Sequence, residues 1–108
     1  MKQRSIRIAA IVLSVFFASA VSFGQGTAAA DFKAKCALCH GDDGLSNTPM
    51  AKALGAPSYK SPEVRKMTDA EMTTVIKNGK NNKMPAFGTQ LSDTQIKDLL
   101  KFVHTLQK

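Results

Sequence analysis

Two thiols and an imidazole stand within five consecutive positions, Cys36-Ala37-Leu38-Cys39-His40, and each residue type there has a chemical use. In a C-x-x-C-H run each thiol can add to one of the two vinyl groups of a haem, and the adjoining imidazole reaches the iron as its proximal ligand. Other uses of the pair fit less well. A disulfide across two intervening residues closes too small a loop to stabilise much. A dithiol catalyst calls for alternating strands and helices around the pair, and no strong strand pattern is present. Tetrahedral zinc needs four ligands, but the chain offers only these two cysteines with His40 and His104. One covalent haem c is therefore the expected cofactor, held by Cys36 and Cys39 with His40 on its iron.

The other axial position of that iron has five candidate ligands: Met50, Met67, Met72, Met84 and His104. Met67 and Met72 have another use, since they can pack on each other at the start of a helix. Met50 follows Pro49 in a short turn, where core packing accounts for a flexible thioether. His104 falls beside Lys97 and Lys101, away from the apolar stripe of its helix, and reads as solvated. Met84 has no helical stripe to join. It ends the irregular polar loop Asn78-Gly79-Lys80-Asn81-Asn82-Lys83, with Pro85 restricting the backbone beyond it and Gly88 letting the chain turn back. Such a loop can carry a sulfur across the open face of a haem. Ligation by both His40 and Met84 leaves no position for oxygen, peroxide or substrate, so one-electron exchange is expected and catalysis is not.

The elements that must position these groups are helical. A first helix is predicted from near Gly26-Thr27 into the cysteines, with Ala29, Phe32 and Cys36 on one face. Gly41-Asp42-Asp43-Gly44 then breaks the chain by turn chemistry. Thr48-Pro49 and Ser61-Pro62 each read as an N-cap followed by proline at the first helical position, and Gly55 ends the first of these short helices. Thr68-Asp69-Ala70-Glu71 is a capping box with Met67 and Met72 as its staple, and Gly79 sits just past the end. Ser92-Asp93-Thr94-Gln95 repeats the pattern with Leu91 and Ile96. The last helix commits Ile96, Leu99, Leu100, Val103 and Leu106 to a core. The fold class is all-α.

Lys2, Arg4 and Arg7 precede an uncharged apolar stretch from Ile8 to Phe23, followed by small residues. This is an export leader pattern, too short for a spanning helix, which needs roughly 20 apolar residues. Residues 1–25 are expected to be a signal peptide, cleaved between about residues 20 and 26, and residues 26–108 a single domain. The whole chain has a formal charge of +7; without the leader, 12 Lys and Arg stand against 8 Asp and Glu, leaving +4. That charge does not mark a nucleic-acid binder, because the lysines are scattered, Tyr59 is the one tyrosine and tryptophan is absent. A domain this small tends to need a staple for its core, and haem would supply it.

Three stretches carry a family resemblance: Cys36-Ala37-Leu38-Cys39-His40-Gly41, Met84-Pro85-Ala86-Phe87-Gly88, and Leu91-Ser92-Asp93-Thr94-Gln95-Ile96. In that order they make the chain from about Gly26 to Lys108 resemble a small soluble class I cytochrome c. The resemblance implies a cytochrome c fold, in which N- and C-terminal helices pack together while short helices and loops wrap one covalent haem. It also implies that His40 Nδ1 donates to a proline carbonyl, best matched by Pro57 in Ala56-Pro57-Ser58-Tyr59, with Pro49 as the alternative. Tyr59 either packs in the core or extends its hydroxyl to a haem propionate. Phe102 is expected to pack on Phe32 across the terminal helices.

The function expected from these features is that of a periplasmic one-electron carrier, acting as a monomer and exchanging electrons through the haem edge near the thioethers. Lys52, Lys60, Lys80 and Lys83 either form a docking surface for acidic redox partners or are plain solvated charges. Peripheral contact with membrane complexes is compatible with both. Two alternatives differ in class: an electron-transfer subunit of a larger oxidase or dehydrogenase complex, and a haem peroxidase or gas sensor with a labile Met84 bond.

Overall fold

The computed structural model describes residues 25–108 together with Ser14. The expected leader therefore lies, but for Ser14 and Gln25, outside the described residues. Six helices follow one another: α1 (Gln25–Lys35), α2 (Ala37–His40), α3 (Pro49–Leu54), α4 (Pro62–Arg65), α5 (Asp69–Asn78) and α6 (Asp93–Leu106). No strand occurs among the described residues, only an isolated antiparallel bridge between Lys80 and Met84. No helix among them is long and apolar enough to cross a membrane.

Local chemistry accounts for where the helices begin. Thr48, Ser61, Thr68 and Ser92 sit in extended backbone and each accepts from an amide three residues on, namely those of Ala51, Val64, Glu71 and Gln95. Glu71 and Gln95 also return the bond, so α5 and α6 both start with a complete capping box. One boundary differs from the sequence expectation. The first helix does not run unbroken through the cysteines but yields at Cys36, where φ widens to −118°. Amide bonding continues across the break, with Cys36 N donating to the Phe32 carbonyl and His40 N to that of Cys36. The axis can therefore shift between α1 and α2 without orphaning backbone groups.

α1 crosses α6, and the centre of their contact is Phe32 against Phe102, with ring centroids 5.0 Å apart. Phe32 and Ile96 are the two largest fully buried side chains. Burial of each contributes on the order of 1.5–3 kcal/mol before the entropy of ordering is subtracted. Around them Phe87, Leu91, Leu99 and Val103 complete one core cluster, while Val64, Met72 and Leu100 form a second beneath α4 and α5. Ala28 joins Phe32 on the buried face of α1, with Ala29 partly buried beside it, as spacings of four and three along a helix allow.

His104 is largely solvated, as expected, but it is also paired. Its Nε2 lies 2.7 Å from Asp69 Oδ1 and its Nδ1 lies 2.8 Å from Gln107 Oε1. The cause is the packing of α5 on α6, which sets the first turn of one helix beside the last turn of the other. Hydrogen bonds to Asp69 and then Gln107 raise the His104 pKa above its ordinary value, against a small desolvation effect.

Candidate functional site

Cys36, Cys39, His40 and Met84 all border one cavity of about 400 Å³, which opens between α2, the α3–α4 connection, α5 and the Met84 loop. The two cysteines are free thiols. Burial pushes the Cys36 thiol up to about 11, opposed by the neighbouring Lys35. Half-buried in this way, Cys36 is a neutral thiol and not an activated thiolate.

His40 is set at the end of α2 and is locked there from several sides. Thr48 Oγ1 donates to the Cys39 carbonyl at 2.8 Å and accepts from Ala51 N at 3.0 Å, tying the C-x-x-C-H run to the start of α3. Ser46 N donates to the His40 carbonyl. The imidazole stacks on the ring of Tyr59, with centroids 4.8 Å apart and planes inclined by 23°. Burial lowers its pKa and keeps it neutral, which is the form that ligates metal.

The hydrogen bond expected between His40 Nδ1 and the Pro57 carbonyl is not formed. That carbonyl instead accepts from Ser46 Oγ at 2.8 Å, and His40 Nδ1 is buried without a partner. Pro57 nevertheless borders the cavity, as does Tyr59, whose ring touches both His40 and Phe32. Burial, with a smaller contribution from Cys36, raises the Tyr59 pKa, so its phenol stays neutral.

Among the five candidates for the distal position, Met50 is exposed and does not border the cavity, and His104 is engaged with Asp69. Met67, Met72 and Met84 all border it. Met72 is buried against Val64 and Leu100, and Met67 packs on the same cluster, as the staple pattern at the start of α5 suggests. Met72 lies within α5, Met67 in the short connection between α4 and α5, and Met84 in the loop that follows α5. That Met67 and Met72 face the cavity was not visible in the sequence, because a staple at a helix start marks apolar packing without saying whether it also meets a cofactor. Lys80 and Lys83 lie on the rim together with Lys35, whereas Lys52 and Lys60 are exposed elsewhere. Leu38, between the two cysteines, is 72% exposed.

The donor set fits a covalently held haem. Two thiols at the required spacing and a neutral, unpaired imidazole border one side of a largely apolar cavity, and a thioether on a separate loop borders it too. Among the described residues there is no group of three or more His, Cys, Asp or Glu that could hold a bare metal ion.

Comparison with known proteins points the same way. A family model described as cytochrome C oxidase, cbb3-type, subunit III matches residues 25–103. The cbb3-type cytochrome c oxidase subunit FixP of Azorhizobium caulinodans is 40% identical over 78 residues, covering 69% of this chain and 25% of that protein. The chain thus spans a quarter of that relative's length. Cytochrome c6 of Petalonia fascia is 38% identical over 73 residues, covering 67% of this chain and 80% of that protein. The solved structure of KustC0563, a c-type cytochrome, is similar with a TM-score of 0.69 and 27% identity, over 75% of this chain and 98% of that one.

Proposed function

The chain belongs to the c-type cytochromes, and from that membership we propose that it is an exported one-electron carrier whose haem iron is held by His40 and Met84. Family membership implies a covalent haem c, which when bound supplies the Fe(II)/Fe(III) couple. The observation that carries the reading is the single cavity bordered by both cysteines, His40 and Met84.

The residues divide the work. Cys36 and Cys39 anchor the group beside α2, and His40 is oriented by the Tyr59 stack and by the Thr48 clamp on the preceding carbonyl. Met84 approaches from the loop after α5. Phe87, Val64, Val75 and Ile76 exclude water from the interior wall, which favours the reduced, less charged state of the site. His40 and Met84 would both hold the iron, so the protein would neither gain nor lose a ligand as the haem supplied one-electron exchange.

Lys35, Lys80 and Lys83 border the mouth, where Glu63 is the acidic residue, so an acidic surface on a redox partner is the complementary docking face. A second reading is favoured by the similarity to an oxidase subunit, namely that the chain delivers electrons within or directly to a membrane oxidase complex. The test is ligand binding and transfer kinetics on the haem-loaded protein. A closed site leaves the reduced protein unreactive toward carbon monoxide, and transfer to an acidic partner slows as salt is raised. Rapid carbon monoxide binding contradicts the carrier reading, and rates indifferent to salt contradict the docking reading.

A further inference from the structure

We propose that Gly79 is a positioning residue for the distal ligand, its bare α-carbon acting with the Asn81-Asn82 turn to fix where the Met84 sulfur stands. This rests on the reading of Met84 as that ligand.

Gly79 caps α5 with φ +74° and ψ −177°, backbone that essentially only glycine adopts. A β-carbon built there would overlap the Met84 carbonyl oxygen and come within 3.1 Å of the Pro85 carbonyl carbon and Ala86 N. The chain on both sides of Met84 is thus laid directly against the missing side chain. Two features fasten it in that place. On the near side, Lys83 N donates to the Lys80 carbonyl at 3.0 Å, closing a turn whose central residues Asn81 and Asn82 hold φ of 54° and 55°. Left-handed backbone at both central positions is what a type I′ turn requires, and asparagine tolerates it best after glycine. The turn is clasped by reciprocal bonds, Lys80 N to the Met84 carbonyl and Met84 N to that of Lys80. On the far side, Phe87 N and Gly88 N donate to the Ile76 and Lys77 carbonyls at the end of α5. Met84 is therefore held between a turn on one side and the end of α5 on the other, and a β-carbon at position 79 either pushes the Met84 backbone away or turns residue 79 out of its conformation, which moves the same loop.

The inference concerns ligand placement, not stability alone, so the test reads the iron. Haem-loaded wild type, Gly79→Ala, Asn82→Val, Asn82→Gly and Met84→Ala are compared in the ferric state by the far-red band of sulfur-ligated iron and by imidazole affinity. Asn82 is exposed, so Asn82→Val perturbs the turn without touching the core, whereas Asn82→Gly preserves its geometry. The expected result is that Gly79→Ala and Asn82→Val lose most of the band and bind imidazole about tenfold or more tightly, as a larger open fraction dictates. Asn82→Gly keeps wild-type behaviour. A purely structural role lowers the thermal midpoint but leaves band and affinity unchanged at temperatures where the protein is folded. If that is seen in both Gly79→Ala and Asn82→Val while Met84→Ala loses the band, positioning by Gly79 is overturned and the ligand assignment stands. If Met84→Ala keeps the band, both fall. Should Gly79→Ala not hold haem, the Asn82 pair decides alone.

Discussion

His40 and Tyr59 stack at 4.8 Å, and no polar group of the described chain meets His40 Nδ1. The orientation of the imidazole thus depends on an aromatic wall, itself braced by Phe32 at 6.2 Å and by a Tyr59 amide bond to the Gly44 carbonyl. The ring of Tyr59 is accordingly expected to matter more than its hydroxyl. Tyr59→Phe should stay within about 1 kcal/mol of wild type, the scale of one net hydrogen bond. Tyr59→Ala should cost about 3–5 kcal/mol in denaturant unfolding and broaden the proximal ligand's spectroscopic signature. If Tyr59→Phe alone reproduces the loss, the hydroxyl carries the role.

Gly44 holds φ +72°, and a β-carbon on it would overlap the Tyr59 ring. Gly44→Ala is therefore expected to displace Tyr59 and to destabilise by more than the roughly 1 kcal/mol that a left-handed alanine alone costs. Equilibrium unfolding of Gly44→Ala beside Tyr59→Ala and the double variant checks this. The two effects should fall short of additive, since both act on one ring.

The pH dependence of stability should carry the mark of His104. Its folded pKa is raised by Asp69 and Gln107, so its contribution is fully present below the unfolded value of about 6.5 and is lost as pH rises through the folded one. Denaturation midpoints of wild type should decline across that window, and His104→Ala should flatten the decline. An unchanged slope in His104→Ala would show that another group is responsible.

The capping boxes give a quantitative check on the helices that flank the Met84 loop. Thr68→Ala and Ser92→Ala should each cost about 1 kcal/mol, within a range of 0.5–2. They cap different helices, so the double variant should approach the sum. Chemical denaturation measures all three.

How far the sequence reaches can be judged from these residues. Capping side chains, proline at the first helical turn and the stripe of α6 are local patterns, and they located α3 to α6 within a residue or so. The break at Cys36 was not legible, because Ala34-Lys35-Cys36-Ala37 contains no helix breaker. His104 was legible only in part, for a related reason. Its place off the apolar stripe of α6 was read correctly, but a single helix does not reveal that Asp69 of α5 comes to meet that face. Cys36, Cys39 and His40 were legible because their chemistry is encoded in adjacent positions. The ring wall of Tyr59 and the cavity-facing Met67 and Met72 depend on long-range contacts, which no spacing rule supplies.

The central claim is that Met84, among three methionines bordering the same cavity, completes the ligation opposite His40. The most direct measurement is the ferric visible spectrum of the haem-loaded wild type beside Met84→Ala, with Met67→Leu and Met72→Leu as companions. Ligation by Met84 gives a weak far-red band of sulfur-bound iron in wild type, retained in Met67→Leu and Met72→Leu and absent from Met84→Ala. Persistence of the band in Met84→Ala, or its loss in Met67→Leu or Met72→Leu instead, would contradict it.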